Sequence, residues 1–282
     1  LAQSAYSRQG WALEEAVPQT EALRRHFLKE YGKPKRTFIT GHSMGGLITL
    51  ATIEKYPDAY DGAMPMCGPL TPALFFFKDR VFDMLVTFDA LFGDALPEEY
   101  RPLMEASVLP GAAVQQAFAS DPEMTTKYAL HYGMREKDVA GIVAMDHMLL
   151  RELMDRAGGN PFDNRETVYM GFDGLAGLNA MVKRYAADPA AVEYIRKNYT
   201  VTGDISDPVL AVHTTYDPGV PTCVPCYYDK LSALKDKEDL FVQMYVEAEG
   251  HCNFTPEQTA KALDILTEWV ESGRVPEAGR IE

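Results

Sequence analysis

The sequence predicts an α/β fold: a mostly parallel sheet with helices on both faces, interrupted by a mainly helical insertion. Three observations predict it. Short β-prone runs alternate with helix-length amphipathic stretches near both ends of the chain, the pattern that builds a parallel sheet. A glycine-flanked serine stands where one such run turns into a helix. Residues 71–205 break the alternation, being rich in helix formers, Met and aromatics and punctuated by Pro97, Pro102, Pro110, Gly158-Gly159 and Pro161.

The elements follow in order. Leu1 to Tyr6 reads as the end of a strand, and Trp11 to Tyr31 as a helix with Leu13, Val17, Leu23, Phe27 and Leu28 apolar, closed by Gly32 and Pro34. A strand from Arg36 runs into Gly41-His42-Ser43-Met44-Gly45-Gly46. Leu47, Ile48, Leu50, Ala51 and Ile53 then form a helical stripe that Tyr56-Pro57 stops. Gly62 to Gly68 reads as a short buried strand. Beyond the insertion come a strand at Pro208–His213, a helix at Cys226–Lys235 and a strand at Leu240–Val246. A last helix spans Pro256 to Ser272, with Thr255 and Gln258 as a capping box, Pro256 at its first position and Gly273 past its end. The predicted organisation is a core from 1–70 and 206–282, with 71–205 as a cap over the C-terminal edge of the sheet.

With 282 residues, 46% hydrophobic and 24% charged, the chain can bury one large core or a core and a satellite. Its net charge of −14 disfavours nucleic acid and anionic membrane as partners. No apolar run approaches the ~18 residues that a membrane span needs; Leu74-Phe75-Phe76-Phe77 ends at Lys78-Asp79. The chain opens on Leu1 rather than Met and lacks a basic region followed by an apolar one, so a leader or a larger upstream piece is expected to have been lost.

Gly41-His-Ser-Met-Gly45 is a G-x-S-x-G match in the context that gives it meaning, strand before and helix after. A sharp turn there lifts the Ser43 hydroxyl clear of the sheet, and flanking glycines admit close backbone. It also sets the Met44 N–H at a helix N-terminus, where it can stabilise an oxyanion. A serine is nearly inert until a base takes its proton and a carboxylate orients that base. Of six histidines, His251 follows the last strand, behind Gly250. Asp217 follows the preceding strand, 34 residues earlier, room for one helix and one strand. Asp204 and Asp207 precede that strand and belong to its other end. His213 closes the strand and can steady the following loop. His42 adjoins the nucleophile, where it packs beneath the elbow or borders the substrate, and Phe75 and Phe76 are further candidates for a substrate wall. Phe77, Phe82, Met84, Phe88 and Phe92 continue that stripe, either as wall or as helix packing.

Four cysteines are present, Cys67, Cys223, Cys226 and Cys252. The Cys223-Val-Pro-Cys226 spacing lacks both the βαβ setting of a redox motif and the partners of a zinc site. A bridge from Cys252 to Cys223 or Cys226 would clamp the acid and base loops; free buried thiols are the alternative.

The chain resembles the α/β-hydrolase superfamily through Gly41-His-Ser-Met-Gly-Gly46, His213-x-x-x-Asp217-x-x-Val220-Pro221 and Gly250-His251, in the superfamily's order Ser, Asp, His. The resemblance covers roughly 1–70 and 206–275, and within the superfamily it looks like capped serine carboxylesterases and serine peptidase-like relatives. It implies an eight-stranded, mostly parallel sheet and ester hydrolysis through an acyl-enzyme, a chemistry that needs no metal or organic cofactor. One departure stands out. The superfamily places several strands and a second oxyanion donor upstream of the elbow, and here Ser43 leaves no room for them. The sheet is therefore expected to be N-terminally shortened, by truncation or by design, or completed by a partner chain. Its open edge invites pairing with a second copy. A serine peptidase or acyltransferase with the same triad is one alternative reading. A weakened remnant acting as a binding protein is the other.

Overall fold

The structure, a computed structural model, describes residues 1–172 and 177–281. The chain divides into two compact units, Leu1–Ala73 with Asn198–Glu282, and Leu74–Lys197.

The first unit is built on a sheet of five strands: β1 (Phe38–His42), β2 (Gly62–Met66), β3 (Val209–Tyr216), β4 (Phe241–Glu249) and β5 (Gly279–Ile281). They lie side by side in chain order, every neighbouring pair parallel. The α/β architecture is the one the alternation predicts. Five strands are present among the described residues, fewer than the eight the superfamily resemblance implies, as the expected shortening of the sheet requires. β5, only three residues long, was not legible in the sequence, and Leu1–Tyr6 forms no strand. The start of the chain instead runs against the helix α1 (Leu13–Tyr31). There the Tyr6 and Thr20 hydroxyls pair at 3.1 Å and Ser7 N donates to Gln19 Oε1 at 2.9 Å.

Parallel strands are usually covered on both faces and so read as continuous apolar runs. β2 is buried along its whole length and the first six residues of β3 are buried too. The helix α2 (Met44–Lys55) packs on β1 and β2, with α1 behind it. The helix Pro256–Ser272 sends Ala262, Leu266 and Trp269 into a cluster with Met64, Met66, Leu210, Val212 and Val246. Its predicted cap is present: Thr255 Oγ1 accepts from Gln258 N at 3.2 Å, Gln258 Oε1 accepts from Thr255 N at 2.9 Å, and Gly273 ends the helix at φ 69°.

The second unit is helical. A π-helical stretch, Phe76–Phe82, leads into the helix Asp83–Phe92, followed by helices Gly111–Ala119, Pro122–His131 and Glu136–Ala157. Asp121 caps the third of these and Gly158, at φ 72°, closes the last. The Phe and Met stripe turns inward. Phe77, Phe82, Met84, Phe88 and Phe92 are all buried. Phe118 lies 4.7 Å from Phe92 and 5.1 Å from Phe88, ring centre to ring centre. These five residues are therefore packing rather than a wall, as aromatics at helical spacing generally are. Phe76 is buried beside Phe77, whereas Phe75 is 53% exposed. No helix among the described residues is long and apolar enough to cross a membrane.

Candidate active site

Because β1 to β4 run parallel and in order, their C-terminal ends form a row, and the residue just past each end is a neighbour of the next. Ser43 follows β1, Cys67 follows β2, Asp217 follows β3, and the loop bearing His251 follows β4.

Ser43 sits at φ 55°, ψ −124°, a conformation that L-residues adopt only when their surroundings impose it. Its amide donates to Met66 O at 2.9 Å, continuing the β1–β2 ladder by one residue, while its carbonyl already accepts from Gly46 N. The chain thus leaves a strand and enters a helix at a single residue. Gly41 is required for this, since any Cβ there would overlap the backbone of Gly45. Gly46 is closely packed as well, since a Cβ there would lie 3.0 Å from Gly68 Cα. Gly45, the last residue of the G-x-S-x-G match, faces open space. Met44 is the first residue of α2, a helix with no side-chain cap, so its N–H points out of the helix start beside the serine.

Asp217 is fully buried at its side chain, and both its oxygens are used. Oδ1 accepts from Gly219 N and Val220 N, each at 2.9 Å, and Oδ2 lies 2.7 Å from His251 Nδ1. The buried His213 holds the same loop from below: Nε2 donates to Val220 O at 2.9 Å and stands 3.6 Å from Asp217 Oδ2. Burial pushes the His213 imidazole below its ordinary pKa, which keeps the ring neutral at neutral pH.

His251 Nε2 lies 2.7 Å from Ser43 Oγ. A carboxylate can only accept, so the neutral ring carries its proton on Nδ1 and turns the Nε2 lone pair to the serine hydroxyl. Gly250 N donates to Tyr216 O at 2.8 Å and Thr214 Oγ1 donates to Gly250 O at 3.1 Å, which ties the His251 loop to the end of β3. The exposed His42 lies against Phe254, ring centres 5.8 Å apart, and so braces the His251 loop from β1. Its ring is nonetheless partly desolvated against the elbow, and that first, then the neighbouring His251 imidazole, lowers its pKa.

The disulfide differs from the expected one. Cys252 is bonded to Cys67, and Cys223 and Cys226 are free and exposed. The reason is lateral order. Cys67 ends β2, between the strands that carry Ser43 and Asp217, whereas Cys223 and Cys226 lie on the excursion from Asp217 into the helix Cys226–Ala233. The signal that could have found it is the position of Cys67 just past a buried strand, in the same row as Ser43. One group among the described residues has metal-ligand spacing, Cys67, His251 and Cys252, and its two sulfurs are the ones joined in the disulfide. The amides of Gly219 and Val220, which hold Asp217, were not singled out in the sequence either.

The family model described as "Putative esterase" matches residues 14–155, half of the chain, a span that includes Ser43 and ends before Asp217 and His251. An o-phthalyl amidase of Xanthobacter agilis is 27% identical over 127 residues. That match covers 45% of this chain and 26% of the amidase, so the chain spans about a quarter of this relative's length. Among solved structures, the chain is similar to an esterase from Aspergillus oryzae, at 14% identity and a TM-score of 0.44, covering 93% of this chain and 63% of that one. It is also similar to a monoacylglycerol lipase of Paleococcus ferrophilus, at 18% identity and a TM-score of 0.41, covering 95% of this chain and 78% of that one. The fold itself rests on the strand order and register described above.

Proposed function

The chain belongs to the esterase family, and from that premise we propose that it hydrolyses carboxylic esters through an acyl-enzyme formed on Ser43. The observation that carries this reading is the unbroken relay from Ser43 Oγ through His251 to Asp217, with 2.7 Å at each junction.

The steps follow from that geometry. Ser43 attacks the ester carbonyl while His251 Nε2 takes its proton. Asp217, held by two amides, keeps the ring in the right tautomer and stabilises the imidazolium. The Met44 N–H faces the oxyanion that develops on the former carbonyl oxygen. His251 returns the proton to the departing alcohol, then activates water to release the acid and restore Ser43. His42, exposed beside the nucleophile, borders the bound acyl group.

A second reading is favoured by one observation, the similarity to a protein named for amidase activity. Amide cleavage would use the same triad and ask more of His251 as an acid, since an amine leaves only when protonated. A nitrophenyl ester and the matching anilide, assayed on the chain and on Ser43→Ala, test both. We expect ester turnover that vanishes in the variant, with the anilide slower. An anilide cleaved as fast as the ester would favour the amidase reading. Full ester activity in Ser43→Ala would remove Ser43 from the chemistry.

A further inference from the structure

Ser43 follows β1 and His251 follows β4, so they belong to strands three apart in the sheet, about 14 Å at ordinary strand spacing. Yet their reacting atoms stand 2.7 Å apart. The loop leaving β4 must therefore lean back across β3 toward β1. Two hydrogen bonds fix its first residue, Gly250, to the end of β3. Beyond that point the backbone turns through two left-handed residues on either side of His251, Gly250 at φ 107° and Cys252 at φ 56°. Glycine takes such a conformation freely; cysteine does so only under constraint. The constraint is covalent: Cys252 is bonded to Cys67, which is past the end of β2, one strand from the nucleophile. Cys67 is itself buried and left-handed, at φ 46°, and its amide donates to Val212 O at 2.8 Å, so the anchor, just past β2, is tied by its backbone to β3. The Cys252 sulfur also stands 3.6 Å from His251 Nε2, flanking the nitrogen that faces Ser43.

We propose that the Cys67–Cys252 disulfide is a positioning element for the general base, holding His251 Nε2 on Ser43. This rests on the hydrolytic reading above and deepens it. The two cysteines act through His251: the Cys252 sulfur flanks its Nε2, and neither sulfur takes or gives a proton in the proposed steps. Cutting the bond frees the loop beyond Gly250, and the ring then samples positions off the serine. A misplacement of about 1 Å costs turnover on the order of 10²-fold while leaving substrate binding nearly intact.

The test uses the full chain in its oxidised form and after reduction by a water-soluble phosphine. That reaction splits the S–S bond into two thiols and converts the phosphine to its oxide with oxygen from water. Cys67→Ser, Cys252→Ser and the double variant accompany it, all measured at a temperature where circular dichroism shows them folded. We expect kcat on the nitrophenyl ester to fall on the order of 10²-fold with KM changed by less than about threefold, and the double variant to be no worse than either single, because one bond is lost in each case. Where a serine variant does not fold, the phosphine-reduced chain carries the comparison. The activity-independent readout is the far-downfield proton resonance of His251 Nδ1–H against Asp217, expected to be sharp in the oxidised chain and broadened or absent in the reduced one. A folded chain without the bond that keeps kcat within about twofold, or keeps that resonance unchanged, overturns the proposal. An oxidised chain that shows the resonance but turns over neither the ester nor the matching anilide instead overturns the hydrolytic reading, and the resonance then decides the positioning role alone.

Discussion

Gly41 faces the backbone of Gly45 so closely that a methyl group on Gly41 would overlap the Gly45 carbonyl, while a methyl on Gly45 would meet nothing within 4 Å. Two glycines of one motif thus carry unequal demands. Gly41→Ala should cost about 1–3 kcal/mol or more through forced backbone movement and should abolish turnover by spoiling the elbow. Gly45→Ala should fold as the parent does and keep ester turnover within about threefold, since alanine suits a helix start better than glycine. Denaturant melts and kcat for both variants check this; equal damage from the two would refute the steric account.

Asp217 separates orientation from stability. In Asp217→Asn the remaining carbonyl oxygen can still serve the Gly219 and Val220 amides, but the new NH₂ donates to His251 Nδ1 and moves the ring proton to Nε2. Turnover should fall on the order of 10⁴-fold with little loss of stability. Asp217→Ala should lose as much turnover and, in addition, about 1–3 kcal/mol for each amide left without an acceptor. Parallel kinetics and urea unfolding would show whether the two effects part in this way.

The thiol inventory is fixed by the observed pairing. Unreduced protein titrated in denaturant should yield two thiols per chain, carried by Cys223 and Cys226, and reduced protein should yield four. Alkylation followed by peptide mapping identifies them. Label on Cys252 in the unreduced sample would contradict the Cys67–Cys252 bond.

Asp146, in the helical unit, is buried, and its Oδ2 has no hydrogen-bond partner among the described residues. Burial pushes its pKa up to about 7, against a smaller opposing pull from Arg80. A carboxyl whose folded value lies above its ordinary one holds its proton longer in the folded chain. Its contribution to stability is therefore complete below about pH 4 and is lost as pH rises through about 7. Asp146→Asn removes that titration. We expect the melting temperature to drop less between about pH 5 and about pH 8 in the variant than in the parent, with the variant the more stable at the higher pH. Calorimetry at the two values decides it: an undiminished drop in Asp146→Asn would assign the pH dependence elsewhere.

Much of this architecture can be read locally. The strand-turn-helix around Ser43 is written within about ten residues, because a β-prone run, close-packed glycines and a helical stripe each act over one or two turns of chain. The Thr255–Gln258 box and the Gly273 stop at the ends of the last helix are local for the same reason, a side chain reaching a backbone group three residues away. Placing Asp217 and His251 just past strands needed only the alternation of elements. β5 was illegible because three residues carry too little pattern to separate a strand from a turn. The Phe stripe was legible as helical, but which of its faces was buried depended on Phe118, Tyr128 and Phe162, far along the chain.

By itself the sequence determined which residues could do chemistry and that each stood at the end of a strand. Only the tertiary structure decided which strand ends became neighbours, and with them that Cys252 pairs with Cys67 across a separation of 185 residues rather than with the nearer Cys223 or Cys226. The physical reason is that lateral order in a parallel sheet is set by crossover connections and core packing, interactions between distant segments that no local run of residues encodes.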